Sequence, residues 1–131
     1  MDYKEKYDFS ISHANEFWKT EAEKINWFTF PETILSQDDE GLYRWYRGGK
    51  MNTCYLALDR HIEQGRGDQT ALIYDSPVTG IKKQYTYTQL LHEVRMFAGV
   101  LKSKGVTKGD TIVIYMPMVP EALFAMLACA R

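Results

Sequence analysis

Thr111-Ile112-Val113-Ile114-Tyr115-Met116 is apolar without alternation, and after Pro117 the chain runs from Pro120 through Glu121-Ala122-Leu123-Phe124-Ala125-Met126-Leu127-Ala128-Cys129-Ala130 to Arg131. A strand with no polar face suits a parallel sheet covered by helices on both sides. The residues that follow have helical propensity, with Pro120 suited to the first helical position and Glu121 to the positive end of the dipole. That helix is apolar nearly all round, so it needs cover on every side. In 131 residues there are too few elements to complete a doubly wound sheet around this pair. The sequence therefore reads as the front piece of a larger α/β protein, an incomplete fold.

The rest of the chain divides into two unlike parts. Twelve of the 18 aromatic residues fall in residues 1–55, including Trp18, Trp27 and Trp45, whereas Val, Ile and Leu number eight in residues 1–66 and sixteen in residues 67–131. Large rings bury much area for each residue fixed, so an aromatic-rich stretch with little aliphatic period reads as helical and irregular chain clamped onto another body. The aliphatic part reads as a regular core. Gly65-Arg66-Gly67-Asp68 marks the boundary, giving segments 1–66 and 67–131.

Within the first segment, Ala14, Trp18, Ala22 and Ile25 recur at helical spacing, which predicts a helix over about 13–26 with Ser12 as its cap. Residues 27–51 hold Pro31, Asp38-Asp39-Glu40-Gly41 and Gly48-Gly49 with no sustained period, and read as loop. Asn52 is placed to cap a helix over about 53–64 whose stripe is Tyr55, Leu58 and Ile62. In the second segment, Thr70–Tyr74 and Lys83–Tyr87 flank a turn and predict a hairpin. Thr88 is placed to cap a helix bearing Leu90, Leu91, Val94, Phe97, Ala98 and Leu101, closed by Gly105. The run 111–116 then supplies a parallel strand.

Sixteen basic against 17 acidic residues give a net charge of −1, which excludes the global basicity of a protein that wraps nucleic acid or coats an anionic membrane. No apolar run approaches a membrane span, and Met1-Asp2-Tyr3-Lys4-Glu5-Lys6 opens no signal peptide, so a cytosolic or mitochondrial-matrix location is expected. Cys54 and Cys129 lack any CxxC or zinc-ligand spacing and read as reduced, buried small hydrophobes.

Three patterns touch on chemistry. The glycines between Gly99 and Gly109 close a helix and feed a strand, the reverse of a phosphate loop, which opens a helix. Tyr43-Arg44-Trp45-Tyr46-Arg47-Gly48-Gly49-Lys50 alternates arginines with rings as a single-stranded RNA platform does, but one such patch in a near-neutral chain reads as a packed aromatic anchor. Asp59 and Glu63 share a helix face on which a metal site could begin, but with Arg60 between them and no second cluster they read as a solvated face. His13, His61 and His92 lie on three different predicted helices, and no GxSxG elbow is present. No catalytic, cofactor-binding or metal-binding residue is nominated within these 131 residues. On these residues alone a free-standing RNA- or protein-binding module built on the Tyr43–Lys50 patch remains the alternative.

The run Tyr115-Met116-Pro117-Met118-Val119-Pro120-Glu121-Ala122, continuing to Met126-Leu127-Ala128-Cys129-Ala130-Arg131, closely resembles the acetyl-CoA and propionyl-CoA synthetases, short-chain members of the acyl-adenylating superfamily. The resemblance extends through Gly105–Asp110, Tyr85–Leu90, Asn52–His61, Gly48-Gly49-Lys50 and Phe17-Trp18. It implies an N-terminal cap over 1–66 and the start of the large AMP-binding domain over 67–131. It also implies a ligase that uses ATP, Mg²⁺ and CoA on acetate or propionate, acting through an acyl-adenylate. Tyr74–Thr79 and Tyr43–Lys50 lean toward the propionyl branch without separating the two acids. The family's phosphate loop, adenine motif, hinge and adenylation lysine lie beyond the matched stretch. The piece alone is therefore expected to bind none of these cofactors and to be inactive.

Overall fold

The computed structural model describes residues 2–131. The chain packs as two units, one ending at Met51 and the other running from Asn52 to Arg131.

The first unit opens with two helices, α1 (Tyr3–Ser12) and α2 (Ala14–Ala22), in place of the single helix expected over 13–26. Asp2 and Glu5 form a capping box at the start of α1: each side chain accepts from the other's backbone N–H, at 2.8 and 2.9 Å. Ser12 does not cap α2. Its hydroxyl donates back to the Asp8 carbonyl at 2.7 Å, a bond that belongs to the end of the preceding helix, and the chain breaks at His13 with φ −128° and ψ 47°.

Residues 27–51, expected as loop, contain an antiparallel hairpin of β1 (Thr33–Gln37) and β2 (Tyr43–Arg47), with Leu35 opposite Trp45 and Gln37 opposite Tyr43. Alternation is weak there because apolar residues stand side by side, as in Ile34-Leu35 and Trp45-Tyr46. The acidic turn expected at 38–41 closes the hairpin, and Asp38 organises it by accepting from the Glu40 and Leu42 amides and the Arg44 guanidinium. Those bonds hold the Asp38 carboxyl below the usual carboxylate range.

The second unit begins with helical turns from residue 53 to 66 in which Tyr55–Asp59 and Ile62–Arg66 adopt the wide π form. Asn52 caps the start as expected, its Oδ1 accepting from the Tyr55 amide at 2.9 Å. Strands β3 (Thr70–Asp75) and β4 (Lys82–Thr86) form the expected hairpin, with a register shift between Thr70 and Leu72. Helix α3 (Tyr87–Ser103) follows directly. Its cap is Thr86, which shares a capping box with Gln89, and not Thr88. Thr88 is instead drawn to Gly67, whose carbonyl accepts from both its amide and its hydroxyl at 3.1 Å. Gly105, with φ 83°, ends the helix in the left-handed conformation that favours glycine.

The expected strand at 111–116 forms no regular element and has no ladder partner among the described residues, and Val113 and Tyr115 stand almost wholly exposed. A parallel strand exists only beside a neighbour, and both sheets described here are two-stranded antiparallel hairpins. Helix α4 (Pro120–Ala130) forms as expected, with proline in its first turn. The core of this unit is Cys54, Leu58, Leu90, Leu91, Val94, Phe124 and Ala128, flanked by Ile62, Leu72, Tyr85, Phe97 and Leu101. The predicted stripe of α3 thus faces inward as a whole.

Candidate functional site

Helix 53–66 places two polar groups on the buried side of the second unit. In wide turns closed from residue i to i+5, Cys54 and Asp59 stand one above the other, and both are buried, Asp59 at 8% exposure. Arg131, following α4, reaches this position with its guanidinium fork, donating from Nη1 to Asp59 Oδ2 at 2.8 Å and from Nη2 to Oδ1 at 2.9 Å. Arg95, from the middle of α3, adds a third bond to Oδ1 at 3.2 Å. Arg131 Nη1 also lies 3.5 Å from the Cys54 sulfur. Bidentate guanidinium–carboxylate pairing is the strongest geometry such groups have.

The electrostatics follow from this geometry. Hydrogen bonding by Arg131 is the main reason the Asp59 carboxyl sits below its ordinary range; burial opposes it, and the charges of Arg131 and Arg95 add to it. Burial pushes the Cys54 thiol up, against the opposing hydrogen bond from Arg131. Arg131 itself is held more firmly protonated than a free arginine, chiefly by Asp59. The shifts of Asp59, Cys54 and Arg131 all favour the protonation state that each already holds at neutral pH. Such a cluster orients and fixes; it does not shuttle protons.

The solvated face expected for Asp59 and Glu63 is corrected by these contacts, since Asp59 turns inward to the arginines. Glu63 stays exposed and accepts from the Tyr55 hydroxyl at 2.7 Å, which raises the Tyr55 pKa. The two carboxylates thus serve different partners. An open groove of about 290 Å³ beside them is bordered by Glu63, His92 and Arg95 as well as Asp59, and its carboxylates are already engaged. Among the described residues no three His, Cys, Asp or Glu side chains are grouped so that they could hold a metal ion. His61 lies against the Tyr87 ring at 4.8 Å and beside Arg66, and burial with that neighbouring charge lowers its pKa.

The Tyr43–Lys50 patch is committed within the first unit. Arg44 bonds Asp38 at 2.7 Å, Trp45 meets Trp18 edge-on at 5.7 Å, and Tyr46 lies 5.4 Å from Trp27. Tyr46 takes a positive φ of 52°, which turns its ring toward Trp27 at the end of β2. Nothing in this arrangement favours an RNA platform. At the other end of the chain, the Gly105–Gly109 stretch closes on itself as expected: the Asp110 carboxylate accepts from the Thr107 amide at 2.7 Å, which lowers the Asp110 pKa. Both cysteines are free, Cys54 buried as expected and Cys129 exposed, which corrects the second.

Sequence reasoning missed Arg95 and Arg131 as partners of Asp59. The available signal was an acidic residue bordering the apolar stripe Tyr55–Leu58–Ile62 with an arginine at the end of an apolar helix. Spacing cannot reveal a pair 72 positions apart.

Comparison with known proteins gives a consistent picture. Residues 3–57 match the acetyl-coenzyme A synthetase N-terminus family, and residues 58–131 match the AMP-binding enzyme family. An uncharacterised Pseudomonas aeruginosa protein is 51% identical over the whole chain, which covers 21% of that protein. The human acyl-CoA synthetase short-chain family member 3, mitochondrial, is 47% identical over 99% of the chain and 19% of its own length. The acetoacetyl-CoA synthetase structure from Streptomyces lividans superposes with a TM-score of 0.84 at 27% identity, covering 99% of this chain and 20% of that one. The chain thus spans about a fifth of the length of the curated relatives it matches.

Proposed function

The chain belongs to the AMP-binding enzymes, in their acetyl-coenzyme A synthetase branch, and from that premise we propose that it is the N-terminal segment of an ATP-dependent ligase joining a short-chain carboxylate to CoA. In the proposed reaction a carboxylate oxygen of acetate or propionate attacks the α-phosphorus of ATP and pyrophosphate leaves. The CoA thiol then displaces AMP from the acyl-adenylate and yields the acyl-CoA. Stabilising charge in those steps requires converging amides and cations around the phosphates. Residues 2–131 offer a saturated ion cluster and a self-closed turn instead. The catalytic and substrate-binding groups are accordingly assigned to chain outside residues 1–131, as are Mg²⁺ and the contacts to ATP and CoA. The cap segment, read from the sequence as 1–66, ends in this reading near residue 57, where the two family matches meet, and the chain from there on opens the AMP-binding domain. The segment alone is inactive and works in a cytosolic or matrix compartment with the remainder of its own enzyme as partner.

The single observation that supports this reading most is that the two family matches abut at 57 and 58 and together cover all but the first two residues. The test is ATP–pyrophosphate exchange by the complete gene product with acetate and with propionate. Exchange that depends on either acid, followed by AMP release that depends on CoA, is the expected outcome. Failure of both acids to support exchange in a folded protein overturns the reading. Tight binding of Mg-ATP to the isolated segment in calorimetry would overturn the assignment of the nucleotide site to other chain.

A further inference from the structure

Arg131 is held at two ends. Its guanidinium is forked onto Asp59, as described, and its main-chain oxygen accepts from Asn52 Nδ2 at 3.1 Å. Asn52 is also the cap of helix 53–66 through its Oδ1. One amide side chain therefore ties the beginning of one helix to the end of another, while the carboxylate one and a half turns further on grips the same arginine. Arg95 brings α3 into the same cluster. Three elements far apart in sequence converge on a single buried carboxylate.

The apolar contacts beneath do not impose this arrangement alone. Leu58, Val94, Phe124 and Ala128 pack without directional bonds, and apolar surfaces of similar size tolerate sliding and rotation. A fork of two parallel hydrogen bonds has one acceptable orientation, and a buried carboxylate left without its cations is strongly unfavourable.

We propose that Asn52, Asp59, Arg95 and Arg131 form a clasp that makes helix 53–66 and α4 order and open as one unit, so that the register of α4 is set by the clasp and not by the core alone. The clasp is a conformational device of this chain's own residues and holds independently of the ligase reading.

Hydrogen exchange on the intact protein tests it, because the readout needs no enzymatic activity. In Asp59→Asn, amides of both 53–66 and 120–130 should exchange at least tenfold faster, by a common factor, while those of the β3–β4 hairpin change little. Arg131→Lys keeps the charge and removes the fork, and should reproduce the effect on both helices in smaller degree. The double variant Asp59→Asn with Arg131→Met should exchange no faster than Asp59→Asn, because the two changes remove one interaction. Acceleration confined to one helix, spread evenly over the whole unit, or additive in the double variant would overturn the clasp. If Asp59→Asn does not fold, the same criteria are read from Arg131→Lys, whose exchange matching the unaltered protein would likewise overturn it.

Discussion

The two packing units solve the same problem with different residues. Residues 2–51 bury few side chains fully, among them Ala22, Pro31 and Ile34, and connect their rings in a relay of edge and tilted contacts from Phe9 through Phe17, Trp18, Trp45, Tyr46 and Trp27 to Phe30. Several of these rings remain substantially open, Trp45 at 46% exposure. Residues 52–131 bury Leu58, Leu90, Leu91 and Val94 to near completeness and set one ion cluster against them. The first arrangement holds irregular chain in place with a few large contacts whose geometry matters. The second depends on close packing of many small ones. Each should fail in its own way.

The largest effect is expected where packing is densest. Leu58 is 2% exposed at the centre of the second unit, so Leu58→Ala should destabilise it by about 3 kcal/mol. In urea unfolding followed by hydrogen exchange, protection should fall in α3 and α4 and persist in β1–β2. Equal loss in both units would erase the distinction between them.

Gly49 tests the first unit in the opposite sense, by adding an atom. A Cβ there would stand 2.8 Å from a Trp27 ring carbon, 2.9 Å from Pro31 and 3.0 Å from the Tyr46 carbonyl. None of these neighbours is the end of a flexible chain, and Trp27 is further fixed by its Nε1 bond to the Ala22 carbonyl at 2.8 Å. Gly49→Ala should therefore lower the stability of residues 2–51 by roughly 2 kcal/mol through overpacking. Unchanged thermal unfolding would mean that the ring relay yields more readily than its geometry implies.

The same contrast decides what could be read beforehand. The second unit was legible because period carries it: the α3 stripe from Leu90 to Leu101, the β3–β4 hairpin and the proline-led α4 all follow from local spacing. The parallel strand at 111–116 was not realised, because a strand is a relation between segments and none of the described ones lies beside it. In the first unit β1 and β2 carry no such signal, since the adjacent apolar pairs Ile34-Leu35 and Trp45-Tyr46 break the alternation a strand would show. The inward turn of Asp59 was hidden for another reason. Ordinary 3.6-residue spacing puts it beside Glu63 on an outer face, whereas the wide turns and two distant arginines carry it inside.

Acid offers a sharper probe of that ion cluster. The folded-state pKa of Asp59 is depressed, so its contribution to stability is fully present above the unfolded value of about 3.9 and is lost as pH falls through the folded one. Asp59→Asn should cost roughly 2 kcal/mol near pH 7, below the range for fully buried pairs because both guanidiniums remain partly in water. The gap between the variant and the unaltered protein should narrow as pH drops below about 4. A gap that stays constant from pH 7 to pH 3 would show that the carboxylate's charge contributes nothing and that only its shape matters.

The smallest effect separates the units most finely, because both carry the same local device. Asp2 and Glu5 cap α1 as Thr86 and Gln89 cap α3. An N-cap lost to alanine costs about 1 kcal/mol wherever the helix has to form. Helix α3 buries Leu90, Leu91 and Val94, so its first turn cannot open without disturbing the core, and Thr86→Ala should lower the global stability of the second unit by about that amount. Helix α1 buries no residue at all, and Tyr3, Tyr7 and Ile11 stand exposed along it. Asp2→Ala should then reduce helicity locally, visible as faster exchange over residues 5–9, while the unfolding midpoint of residues 2–51 stays where it was. An equal shift of the midpoint in both variants would mean that the Phe9–Phe17 contact couples α1 to its unit as firmly as burial couples α3.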